Sequence, residues 1–444
     1  MIITDTAVPS VSRGFWQMSR LNSRLGGDFT WALSGNVVYS FCQWAFVVVL
    51  AKLGTPEDVG AYALGLAITS PILMFANFQG RNLVASDIRD EYSFGEYLSF
   101  RVTSLALALF FVCGLILFTQ SSRQAGAIIF LVGLGQSFDY ASETYFGLMQ
   151  KRDRLDRVSQ SLMLKGPLCL LLMSVAMFVT HNILWTVGAL AGGRGLILWS
   201  FDSRSAAMIA GSCRLAWRYA TQARLWVTAL PLGIISGLNA VNFNLPRYFI
   251  EGDLSKRDLG IFSAVSSLVG AGNLVMAALA SCSIVSLAKA WGARDTRKYR
   301  SLSLRLFGVG ALLGGIGLLV TFIAGDRILT LFFGPEYGGS ARVFTRIMLA
   351  GAFGYVVSAQ GYAMTAARKL LAQIPLLLST TVVTALCSWW LVPRRGLEGA
   401  AEACVLGSFF QLIFSKVIMS RMIRDTATLP DWHSGTHTAP VNAD

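Results

Sequence analysis

The stretch LWVTALPLGIISGLNAVNFNLPRYFIE, residues 225–251, decides the fold class. It is apolar from Leu225 almost to its end, and about 20 such residues carry a helix across a hydrocarbon core of about 30 Å. Stretches of this kind recur along nearly the whole 444-residue chain, whose mean hydropathy is +0.57 and whose charged fraction is 14%. Soluble domains carry about 25% charged residues. The sequence therefore predicts an all-α polytopic membrane protein, in which every spanning backbone group is bonded within its own helix. Within that frame Arg247, beside Pro246, stands where a membrane helix is still in or near lipid.

Hydropathy places about twelve helices at 29–53, 61–82, 98–120, 124–150, 159–181, 182–201, 225–250, 259–289, 301–324, 342–366, 372–392 and 398–420. The organisation expected is a polar tail over 1–28, a six-helix lobe over 29–201, a connection over 202–224, a second lobe over 225–420 and a disordered polar tail over 421–444. The two lobes are expected to surround a central cavity. No cleavable signal is legible in the polar start of the chain. Alternate connections differ sharply in basic residues, with roughly 21 Lys and Arg in one set against about 7 in the other, which predicts both termini in the cytoplasm. The net charge of +13 is accounted for by those loops and needs no nucleic-acid partner. The seven cysteines are scattered, and the three histidines do not cluster, so neither a disulfide framework nor a metal site is expected. No nucleotide-binding loop, nucleophile elbow or cofactor motif occurs, so no enzyme and no cofactor is expected.

LAKLGTPEDVGAYAL (50–64) and LPRYFIEGDLSKRDLGIFSA (245–264) echo one another about 200 residues apart. Each has a helix end, a short acidic loop and an Asp-apolar-Gly step opening the next helix. Two parallel halves related by an axis along the membrane normal produce such an echo. Under this reading Lys52 and Arg247 correspond.

Charges inside a span are costly and mark cavities or partners. Arg101, Arg305, Arg342 and Lys416 lie near span ends, where a long side chain snorkels. Lys165 precedes Gly166-Pro167, and Arg194 lies in AGGRG; both are candidates to line a cavity, with close helix packing and pairing to a carboxylate as the alternative. Ser70, Asn77 and Arg81 share one face of the second helix. Asp139 and Glu143, one turn apart on the fourth helix, are read either as a proton or sodium site or as counter-ions for Lys165 or Arg194. Glu402 in the last helix is a third cation-coupling candidate.

ANFQGRNLVASDIRDEYSFGEYLSFR (76–101), QKRDRLDRVSQSLMLKG (150–166), DLGIFSAVSSLVGAGN (258–273) and LFFGPEY (331–337) resemble, in order and spacing, the bacterial oligosaccharide flippases. Those proteins belong to the multidrug/oligosaccharidyl-lipid/polysaccharide exporter superfamily. The resemblance implies alternating access and a polyprenyl-diphosphate-linked oligosaccharide as substrate, turned to the outer leaflet of the inner membrane. It also implies a cationic cavity that includes Arg81, Lys165 and Arg247, and less directly Arg194. Membrane lipids, other polysaccharide-assembly proteins and a counter-ion, H⁺ or Na⁺, are the expected partners. Gly80 departs from the bulkier apolar residue expected before the arginine. A multidrug exporter, a lipid II exporter and a polytopic polymerase or ligase are the competing readings.

Overall fold

Two helix starts organise the first part of the chain. In the computed structural model, which describes residues 12–87, 90–119, 122–211, 213–367 and 370–427, Thr55 and Asp58 form a capping box. The Asp58 amide donates to Thr55 Oγ1 at 3.2 Å and the Thr55 amide to Asp58 Oδ2 at 3.0 Å. Ser255 and Asp258 repeat the same pair of bonds at 3.1 and 3.3 Å. Each box satisfies N–H groups that a helix start leaves without intrahelical partners. They start α2 (Pro56–Asn77) and α10 (Lys256–Gly292), and the preceding helices α1 (Ser12–Leu53) and α9 (Tyr219–Asp253) stop at matching places.

The echo therefore runs at an offset of 200 residues, as Thr55 and Ser255 show. It places Arg247 opposite Val47, and exposed Lys52 opposite Gly252, not opposite Arg247. Hydropathy at the helix ends suggested a register five residues different because Leu-x-Lys and Leu-x-Arg look alike; the capping boxes fix the true one. At this start the two segments touch reciprocally. A Cβ on Gly60 would lie 2.0 Å from the Lys256 carbonyl oxygen, and one on Gly260 would lie 1.9 Å from that of Pro56. Only glycine allows so close an approach of two backbones.

The remaining helices are α3 (Gly80–Ser86), α4 (Phe94–Phe118), α5 (Arg123–Lys151), α6 (Leu155–Thr180), α7 (Ile183–Ile197), α8 (Ser203–Ala210), α11 (Thr296–Phe333), α12 (Ala341–Ala366) and α13 (Gln373–Ala427). Among the described residues, ten helices are long and apolar enough to cross a membrane. Two further spans complete the expected twelve. One is α5, whose polar face lowers its hydropathy; the other arises because α13 is two arms joined at Gly396 (φ 58°). The tails beyond residues 12 and 427, and the basic pair at 368–369, lie outside the described residues.

Several boundaries differ from expectation. The backbone is helical from Ser12, inside the segment expected as a tail, and α13 runs past 421 to Ala427. The second helix is broken, because Phe78 and Gln79 take left-handed conformations (φ 49° and 48°) between α2 and α3. The sixth continues from α7 through a π-helical turn, Leu198–Asp202, into α8. The described residues pack as two compact units, one of Met1–Leu268 with Asp326–Ser340 and one of Val269–Gly325 with Ala341–Asp444. Their boundary lies within α10, whereas the two chain-order halves expected from sequence meet at 202–224.

Candidate functional site

Lys165 sits in α6, where Gly166 lets α1 approach: a Cβ there would lie 3.1 Å from Cys42 Sγ. Its ammonium lies 3.5 Å from Asp139 Oδ1 and 3.5 Å from Asp202 Oδ2, and donates to Ser142 Oγ at 2.7 Å. Arg194 Nε reaches Asp139 Oδ2 at 3.0 Å, and the Tyr39 hydroxyl donates to the same oxygen at 3.0 Å. Ser161 donates to Asp202. Glycines flanking Arg194 allow the packing, with Gly193 against Cys169 and Gly195 against Phe138. Two cations and two carboxylates thus form a neutral buried cluster in which Lys165, Arg194 and Asp202 are 1%, 5% and 0% exposed. Of the two readings left open for Lys165 and Arg194, the structure takes the second: they pair with carboxylates and do not present free charge.

Sequence reasoning missed Asp202, which was assigned to the connection after the sixth helix. The π-helical turn that ends at Asp202 shifts the helical register there. Hydropathy contains no signal for that turn.

Asp139 and Glu143 have different partners. Glu143 faces α2, where the Asn77 amide donates to it at 2.8 Å. This is one rung of a ladder between α5 and α2–α3: Gln136 donates to Ser70 at 3.1 Å, and Arg81 Nε donates to Gln150 at 2.8 Å. Arg81 is half-buried in α3, beyond the left-handed break, so a continuous helix face does not carry it. The polar stripes read from sequence are here bonded to one another across helices.

Arg101 is buried and corrects the snorkelling expectation; Arg305, Arg342 and Lys416 are exposed. Arg101 is 2% exposed, donating to Thr144 Oγ1 at 2.7 Å and to the Ala76 carbonyl at 3.3 Å, at the C-terminus of α2. A cation there satisfies carbonyls that the broken helix leaves open. It also explains Gly80: a Cβ at that position would fall 1.4 Å from the Arg101 guanidinium. Gly80→Ala is expected to cost about 1–3 kcal/mol by overpacking and by displacing those bonds. A lowered thermal midpoint in detergent checks it.

Arg247 is 7% exposed, near the end of α9. Its Nη1 donates to Asn244 Oδ1 at 2.8 Å, and its guanidinium lies 5.1 Å from the Phe243 ring centroid. The helix continues through Pro246 to Asp253, so Pro246 is not its terminator. Arg247 borders a cavity of about 420 Å³ lined also by Tyr62, Ser70, Asn239, Asn244, Ser263 and Ser267. Among the lining side chains Arg247 is the charged one; the others offer hydroxyls, amides and apolar surface. Tyr62 also interacts with Arg194, which links this cavity to the buried cluster. Glu402, in the other unit, is held by Arg395 at 2.8 Å and Arg346 at 3.5 Å, and Arg346 also pairs with Glu398.

Outside the spans, Asp87 anchors the turn before α4. Burial pushes its carboxyl up, but the Glu91 and Tyr92 amides, the Lys151 ammonium and the Tyr97 hydroxyl together hold it below the ordinary value. A carboxyl depressed in the fold stabilises it above the unfolded pKa of about 3.9, and that contribution is lost as pH falls through the lower folded value. Exchange protection of the Glu91 and Tyr92 amides is therefore expected to hold at about pH 5 and to fall only below about pH 3.9, with Asp87→Asn abolishing that step.

Residues 247–390 match the family model MatE. The capsular polysaccharide biosynthesis protein CapF of Staphylococcus aureus is 24% identical over 87% of this chain and 97% of its own length. An inward-facing multidrug resistance MATE family transporter of the MOP superfamily superposes with a TM-score of 0.67 at 14% identity, over 89% of this chain and 99% of that one. A MOP superfamily transporter from Pyrococcus furiosus, described as having a binding pocket of reverse polarity that suggests a different function, superposes at 0.61 and 13% identity, over 90% and 95%. Residues 247–390 thus resemble the MatE family, and the chain as a whole shares the fold of the MATE transporters it superposes on.

Proposed function

We propose that the chain is a flippase that moves polyprenyl-diphosphate-linked oligosaccharide repeat units from the cytoplasmic to the outer leaflet of the bacterial inner membrane, for surface polysaccharide assembly. One observation carries this reading: the charge bordering the Arg247 cavity is a guanidinium, with no carboxylate among the lining side chains. Guanidinium binds phosphate oxygens through paired, charge-assisted bonds. A cavity for cationic drugs needs the opposite sign. The name of the capsular relative supports the same substrate class.

In this reading Arg247 takes the diphosphate, while Asn239, Asn244 and the serines bond sugar hydroxyls. Alternating access then releases the head group outside. Lys165 and Arg194 hold the fold of the cavity wall through Tyr62, and Arg81 acts through its ladder. Asp139 and Glu402 are engaged in ion pairs. Glu143 has no ion pair among the described residues and is therefore the proposed site for a coupling H⁺ or Na⁺. The basic loops support cytoplasmic termini, and the 200-residue echo supports two six-helix halves meeting at 202–224.

The test is made in the native host with the gene deleted, following the leaflet occupied by the lipid-linked oligosaccharide. Units trapped on the cytoplasmic leaflet and released by the wild-type gene support the proposal. Units that reach the outer leaflet unjoined favour a polymerase or ligase, and unaffected units with lost drug resistance favour a multidrug exporter.

A further inference from the structure

The N-terminal turns of α11 hold a second cationic feature that the transport cavity does not use. Thr296, Arg297, Arg300, Ser301 and Arg305, together with Ile423 of α13, line a cleft of about 650 Å³. Positions 296, 300 and 304 and positions 297, 301 and 305 each repeat every four residues, so these side chains share one side of the helix. Arg297, Arg300 and Arg305 are exposed, and none has an ion-pair partner among the described residues. The nearby carboxylate of Asp295 is turned to the helix start, accepting the Lys298 amide at 2.9 Å. Like charges brought to one side of a helix repel, and an anion between them relieves the repulsion.

The same side continues as an exposed apolar strip. Leu304, Leu312 and Leu319 are 55%, 62% and 61% exposed. A Cβ on Gly308 or Gly315, between them, would meet nothing within 4 Å, so this strip is recessed at both glycines. Three guanidiniums at a span end, above a recessed apolar strip about one acyl chain long, match the two parts of a phospholipid. Basic pockets between membrane helices are known hosts of anionic head groups.

We propose that this cleft binds an anionic phospholipid of the bilayer, its head-group phosphate held by Arg297, Arg300 and Arg305 and one acyl chain lying on the Leu304–Leu319 strip. The inference is independent of the transported substrate.

The test titrates the purified full-length chain in mild detergent with phosphatidylglycerol and counts retained lipid by native mass spectrometry. Wild type is expected to retain phosphatidylglycerol over phosphatidylcholine, and Arg297→Gln/Arg300→Gln/Arg305→Gln to lose at least about tenfold in affinity. The charge-matched control Lys298→Gln/Lys416→Gln/Arg421→Gln is expected to stay within about twofold of wild type. Equal losses in both triple variants would show a diffuse basic surface and overturn the site. Displacement by a polyprenyl diphosphate at lower concentration than by phosphatidylglycerol itself would assign the cleft to substrate and also overturn it. Unchanged thermal midpoints show that either variant is folded.

Discussion

Lys165→Met is expected to destabilise the protein by about 3–5 kcal/mol, because it leaves the Asp139 and Asp202 carboxylates facing each other without their shared cation. The ammonium is 1% exposed and touches both acids, so water cannot replace it without opening the packing of α1, α5 and α6. The size of this loss says little about the worth of the intact cluster, since desolvation offsets much of its Coulomb attraction. A paired change separates the two quantities. Lys165→Met with Asp202→Asn removes one charge of each sign, and it is expected to recover more than half of the loss in a denaturation cycle measured in detergent. If the single and double variants are equally destabilised, the ion pair is not what the lysine contributes.

Arg247→Ala is expected to slow transport by about 10- to 100-fold, the equivalent of one or two charge-assisted bonds to phosphate at about 1.5–3 kcal/mol. Arg247→Lys keeps the charge but loses the planar fork, and is expected to fall between Ala and wild type. Neither change is expected to lower the thermal midpoint as Lys165→Met does. Initial flipping rates in proteoliposomes, set against the amount of folded protein, measure both. Equal rates for Lys and wild type would show that Arg247 contributes charge alone.

These two residues show how far the sequence could be read. Apolar runs and basic loops gave twelve helices because lipid imposes one backbone solution on every span. Arg247 was legible because an arginine inside such a run has few structural uses, and in the structure it borders a cavity. The 200-residue echo was legible as Asp-apolar-Gly, but its register was not, because the capping bonds and the Gly60–Gly260 approach depend on the folded backbone. Lys165 and Arg194 were found, whereas their neutralisation by Asp139 and Asp202 was not, since a π-helical turn decides which side chain arrives opposite Lys165. Arg101 was misread because its helix starts at Phe94, not near residue 98, which carries it from the end of the span into its second turn. Gly80 was a clue that only its partner could explain: a missing side chain there is the space a guanidinium fills.

The polar ladder teaches a related lesson. Spacing puts Ser70, Asn77 and Arg81 on one side of the second helix. In the structure they are bonded to Gln136, Glu143 and Gln150 of α5, from α2 and α3. Periodicity shows which residues share a side of a helix; it does not show whether water or another helix lies there.

Transport by the purified chain in proteoliposomes is best compared for two substrates of opposite charge. One is a polyprenyl-diphosphate-linked oligosaccharide, followed by its exposure on the second leaflet; the other is a cationic amphiphilic dye, followed by its accumulation. The lipid-linked sugar is expected to cross at a rate that falls with Arg247→Ala, while the dye does not accumulate. Accumulation of the dye, with the lipid-linked sugar confined to its starting leaflet, would rule out the flippase function.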